Sequence, residues 1–137
     1  MTQEVERNYL EIHSIRDLNE AVKPNKDCSL NLLEPINFQL NKFFYKNIGK
    51  KHKWTDRLVW TEAQWIEYVS SKKVKTYILK YQNKKLGSYL LSKAIKKSFV
   101  KNINRVWVHT CSLDHKNALT NYVNRGMKIF KTEIIKI

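Results

Sequence analysis

The sequence predicts an α/β fold in which a mixed sheet is covered by helices. Three observations carry that expectation. Stretches rich in β-branched and aromatic residues alternate with stretches whose apolar residues recur every three to four positions. Their order is strand, helix, helix, strand, helix, strand, helix, strand. With 137 residues, 42% hydrophobic and 12% aromatic, the chain can bury the core of one domain and is too apolar for disorder.

Each element has its own signature. Residues 8–15 (NYLEIHSI) alternate weakly and read as a first strand. Residues 16–35 are mixed, with turn signals at Pro24, Asn25, Lys26 and Asp27 and again at Glu34-Pro35. Phe38, Leu40, Phe43, Phe44 and Ile48 mark a helix over 37–48, with Gly49 where a C′ residue belongs. A basic, aromatic loop, 50–57, follows. Thr61 and Gln64 form a capping box that opens a helix to Ser70, with Ala63, Ile66 and Val69 inward. Residues 74–79 (VKTYIL) read as a strand.

Residues 81–99 form the stretch around which the rest is organised. A polar, basic turn of Gln82, Asn83, Lys84 and Lys85 leads through Gly87 and Ser88 into an amphipathic helix. Leu86, Leu90, Ala94 and Ile95 are its expected buried stripe, and Lys93, Lys96 and Lys97 its outer face. The first N–H groups of a helix lack partners within it and carry partial positive charge, and a glycine lets an anion approach them. The stretch reads either as a phosphate cradle or as an ordinary helix with a solvated lysine face. A strand then runs over 104–111, with Val106, Val108 and Thr110 facing one way and Trp107, His109 and Cys111 the other. A short helix over 115–125 puts Ala118, Leu119, Tyr122 and Val123 on its apolar side and is stopped by Gly126. Residues 127–137 form a terminal strand, or two strand pieces.

The formal charge is +14. It suits nucleic acid or an anionic small molecule. The lysines, 21 against five arginines, argue against fixed-geometry phosphate or base recognition, which leans on arginine. Cys28 and Cys111 lie far apart without metal-ligand spacing and read as reduced thiols, so the chain is expected to be cytoplasmic and to hold no metal. No run of apolar residues is long enough for a leader or a membrane span, so no membrane partner is expected.

The tail WVHTCSLDHKNALTNYVNRGMKIF resembles the last strand–helix–strand unit of the GNAT superfamily of N-acetyltransferases. Ala118, Tyr122 and Gly126-Met127 match that pattern; its Asn position falls on His115, with Asn117 a neighbouring substitute. Gln82 and Gly87 match the ends of the family's acyl-CoA signature, while Lys85 replaces its inner glycine. The resemblance implies a single GNAT-like acyl-CoA-binding domain over 1–137. Gln82, Asn83, Lys84, Lys85, Leu86, Gly87, Ser88 and Asn117 would bind acetyl-CoA as co-substrate. Tyr122 would protonate the leaving thiolate. The implied reaction is acetyl transfer to an amine of a small molecule or peptide. Glu62, Glu67, His109 or a water chain would serve as base.

The family also places a hairpin and a splayed central strand before the pyrophosphate turn, and 74–79 runs into Gln82 with no room for them. Either the chain lacks that strand, or residues are missing between Lys80 and Tyr81. The lost strand leaves a second reading open, a GNAT-fold module that binds CoA without catalysis. A third, resting on charge alone, is a basic nucleic-acid-binding domain. The C-terminal strand could also pair across a homodimer.

Overall fold

The computed structural model describes residues 2–24, 28–80, 86–100 and 102–137. Along the chain stand β1 (Glu4–Ile12), β2 (Ser29–Leu32), α1 (Phe38–His52), α2 (Glu62–Ser70), β3 (Tyr77–Lys80), α3 (Gly87–Ser98), β4 (Val106–Cys111), α4 (Ala118–Asn124) and β5 (Lys128–Lys136). A 3-10 turn at Ile15–Asp17 follows β1. The class is α/β. The residues cluster into two compact units, Met1–Lys26 with Asn83–Ile137, and Asp27–Gln82.

In the first unit β1 is the middle strand of a three-stranded sheet ordered β4-β1-β5, antiparallel to both neighbours. β4 and β5 therefore run parallel to each other, and the connection through α4 straddles β1. The second unit pairs β2 with β3 antiparallel. The mixed central sheet expected from sequence is thus replaced, among the described residues, by two antiparallel sheets. The hydrophobic pattern marks strands but not partners, and the parallel relation of β4 and β5 is interrupted by β1. The Lys80–Tyr81 junction lies outside the described residues, because Tyr81 does.

The core of the first unit is built on Leu10 (0% exposed), Ile12, Ile95 and Met127. Leu91, Phe99, Val106, Val108, Leu119 and Tyr122 pack around them. Burying a leucine of this kind contributes roughly 2 kcal/mol. β1 is longer at its start than the sequence suggests, because β5 pairs with it as far as Val5 (1% exposed) and Glu4. It ends earlier, because Ser14 turns the chain by accepting the Arg16 N–H at 3.1 Å. On α3 the buried residues are Tyr89, Ser92 and Ile95, so of the expected stripe Ile95 is buried, whereas Leu86, Leu90 and Ala94 are not. Leu90 is 40% exposed. A serine holds the inward position because its hydroxyl accepts the Ala21 N–H at 2.8 Å, a partner no periodicity reveals.

α4 ends as foreseen at Gly126, with φ 101°. Met127 N–H donates to the Tyr122 carbonyl at 3.2 Å and Gly126 N–H to that of Val123 at 3.0 Å. This is the paired hydrogen bonding of a Schellman cap. The segment after the 3-10 turn docks here. Asn19 donates its backbone N–H to Arg125 at 2.9 Å and its side-chain amide to the Asn124 carbonyl at 2.8 Å.

In the second unit, Asn37 caps α1 by accepting the Leu40 N–H at 3.1 Å, and α2 opens with the predicted Thr61–Gln64 capping box. Thr61→Ala should cost about 1 kcal/mol in urea unfolding. α2 buries Trp65 and Val69. Of the expected inward residues only Val69 is buried, and Ile66 is 44% exposed. Gly49 lies inside α1, which continues to His52, and Lys53 takes the left-handed C-cap position with φ 55°. The glycine is needed for another reason, since a Cβ there would stand 2.7 Å from that of Trp54. β2 carries no sequence signal, being four residues, SLNL, inside a mixed stretch.

Candidate functional site

The candidate site is built where α3 begins. Gly87 is the first helical residue, and among the described residues no side chain caps the helix. Leu90 N–H is the first to find an intrahelical carbonyl, that of Leu86, at 2.9 Å. Gly87 is exposed, and a Cβ placed on it would meet, among the described residues, nothing closer than Asn121 Nδ2 at 3.8 Å. Packing among the described residues therefore does not require glycine here. Ser88 donates its hydroxyl to Asn121 Oδ1 at 2.9 Å, which ties the start of α3 to α4. Among the described residues, Gly87 and Ser88 thus meet α4 at Asn121. Gln82, Asn83, Lys84 and Lys85 lie outside the described residues.

Asn117 is the exposed N-cap of α4 and makes no side-chain cap bond. Its N–H donates to His115 Nδ1 at 3.1 Å, so His115 caps the helix. Tyr122 packs its ring against the core cluster. Burial, and after it the carboxylate of Asp114, hold its phenol above the ordinary value of 10.0. At neutral pH Tyr122 keeps its proton, as a donor must. A raised pKa contributes stability in full below pH 10.0 and loses it as pH rises through the folded-state value. Wild type should therefore lose stability at alkaline pH more steeply than Tyr122→Phe, measured by urea unfolding as a function of pH.

Two residues that sequence reasoning passed over shape this corner. Asp114 folds back onto the end of β4 and accepts the Thr110 hydroxyl at 2.7 Å and the Cys111 N–H at 3.1 Å. Asn121 is the link to Ser88. An Asp in a turn and an Asn on a helix carry no distinguishing spacing, so nothing in the sequence marked either.

The candidate bases are not gathered at Tyr122. His109 lies on the exposed face of the sheet, its ring 5.6 Å from that of Tyr9, whereas Val108 packs on the core side with Tyr122. Glu62 and Glu67 are exposed residues of α2 in the second unit. There Glu62 lines an open groove of about 540 Å³ along α1 with Phe38, Lys42, Phe43 and Lys46. In the loop before α2 the Arg57 guanidinium lies 4.8 Å from the Tyr68 ring centre and 5.1 Å from that of Trp60. No helix among the described residues is long and apolar enough to cross a membrane. Compared with protein-family models and with curated proteins, the chain has no match.

Proposed function

We propose that the chain is a GNAT-like acyl-CoA-binding protein, a single domain over 1–137. It would act in the cytoplasm as an N-acetyltransferase that moves the acetyl group of acetyl-CoA to an amine of a small molecule or peptide. The observation that carries this reading is the exposed start of α3 at Gly87, uncapped by any side chain among the described residues and held against α4 by Ser88 and Asn121. The first amides of a helix carry partial positive charge, and with no side chain among the described residues capping them they suit a pyrophosphate. Tyr122, a half-buried phenol held protonated, suits a proton donor to sulfur. In the reaction the amine nitrogen gives up a proton to water and bonds to the acetyl carbon, the carbon–sulfur bond breaks, the thiolate takes the Tyr122 proton, and the phenolate is reprotonated from water. Asn117 would reach the amide arm of the cofactor from the exposed start of α4.

One observation favours the second reading, a CoA-binding module without catalysis. The sequence leaves only residues 81–86 between β3 and α3, too few for a hairpin and a further strand that would supply backbone amides to a developing oxyanion.

Acetyl-CoA at a hundred times its Kd should add about 2.7 kcal/mol to the stability of the native state, read as a rise in Tm. Gly87→Ala should leave stability unchanged or raise it, since a Cβ has room and alanine favours helix by up to about 1 kcal/mol. The same substitution should weaken acetyl-CoA binding. Tyr122→Phe should cut thiol release in the presence of an amine by about a hundredfold or more, with acetyl-CoA affinity unchanged. A rise in Tm without thiol release with any amine selects the non-catalytic module. No rise at millimolar acetyl-CoA rejects both readings.

A further inference from the structure

The face of the β4-β1-β5 sheet turned away from the core carries a run of rings. β4 presents Trp107 and His109, β1 presents Tyr9, and β5 presents Phe130 at the bulge where the pairing steps from Lys131 to Ile129. Tyr9 is the hub. Its ring centre lies 6.2 Å from that of Trp107, with the planes 29° apart. It lies 5.6 Å from His109 and 6.0 Å from Phe130. Trp107 is 52% exposed and Phe130 43%.

Cations frame the rings. Lys131 Nζ stands 5.0 Å from the Tyr9 ring centre, and the Arg105 guanidinium 4.8 Å from that of Phe130. Arg7 reaches the Tyr9 hydroxyl at 3.5 Å, and its Nε is buried without a hydrogen-bond partner among the described residues. The carboxylates on this face are already matched. Glu133 accepts from the Tyr9 hydroxyl at 2.6 Å and pairs with Lys131 at 2.9 Å. Glu11 pairs with Arg105 at 2.7 Å and with His13 at 3.0 Å. Two of the five arginines sit here, on a chain of net charge +14.

A surface made to bury another apolar element would carry aliphatic side chains and few charges. Half-exposed rings among cations suit a partner that is flat, aromatic and anionic. Bases stack on such rings whatever their identity, and phosphates are drawn to the flanking arginine and lysine. We propose that this face binds single-stranded nucleic acid. Unstacked bases lie on Trp107, Tyr9 and Phe130, and the backbone runs past Arg7, Arg105 and Lys131. This is independent of the acyl-CoA reading and uses the opposite side of the sheet from Tyr122.

The test is fluorescence anisotropy of labelled oligothymidylate, oligouridylate and a duplex of the same length, with the full chain at low salt. Binding of either single strand, about tenfold or more tighter than the duplex and weakening as salt rises, is the expected result. Which single strand binds tighter tells RNA from DNA. Trp107→Ala should weaken single-strand binding about tenfold, Phe130→Ala comparably, and Trp107→Phe should restore most of it. A circular dichroism melt confirms that each variant is folded. Four results would overturn the proposal: no binding of either single strand, equal binding of duplex, undiminished binding by both folded alanine variants, or self-association that Trp107→Ala abolishes without any oligonucleotide binding.

Discussion

Leu10→Ala should lower the free energy of unfolding by roughly 2–5 kcal/mol, a large share of the 5–15 kcal/mol typical of a domain. Leu10 is fully buried, on the middle strand, opposite Val108 on one side and Ile129 on the other. Truncation removes three carbons from a position that packing neighbours on two strands and α3 cannot all move to fill. Ile134→Ala is the comparison. It changes a 61% exposed side chain of β5 and should stay within about 0.5 kcal/mol of wild type. Urea unfolding measures both. A loss below about 1 kcal/mol for Leu10→Ala would mean that β1 is not the centre of the core.

Gly126→Ala should cost about 3 kcal/mol or more, although it adds a single methyl group. The backbone there has φ 101°, a conformation that penalises an L side chain by about 1–2 kcal/mol. The added Cβ would also collide with the carbonyl oxygen of Asp17. Moving that carbonyl pulls Asn19 away from Arg125 and Asn124, and each lost hydrogen bond costs about 1 kcal/mol. Gly87→Ala, the same change where a Cβ meets, among the described residues, only Asn121 Nδ2 at an ordinary contact distance of 3.8 Å, is the internal control. If the two substitutions cost the same, the cap at the end of α4 does not hold the segment after β1 in place.

These two positions also show what a sequence can disclose. Gly126 was legible because a helix stop is local, and the Thr61–Gln64 capping box was legible for the same reason. Gly49 was misread as a helix end because what forbids a side chain there is Trp54, beyond the helix. The α3 stripe was misplaced because Ser92 turns inward to satisfy an amide more than 70 positions away in sequence, |i−j| = 71. β4 declared its alternation, Trp107 and His109 against Val106 and Val108, and that held. Which rings would join them did not show, because Tyr9 and Phe130 arrive only through strand pairing. At the candidate site the legible part was the start of α3 and Tyr122. Asn121 and Asp114, which set their surroundings, carry no pattern of their own.

The central claim is that the amides at the start of α3 receive the pyrophosphate of acetyl-CoA. The chain has three glycines, so protein labelled with ¹⁵N only at glycine gives three backbone amide signals. Titration with acetyl-CoA should move the Gly87 signal saturably, while Gly49, which is buried, and Gly126, whose amide is already bonded to Val123, stay nearly still. A Gly87 signal unmoved at millimolar acetyl-CoA, in a protein whose other two glycine signals report an intact fold, would contradict the claim.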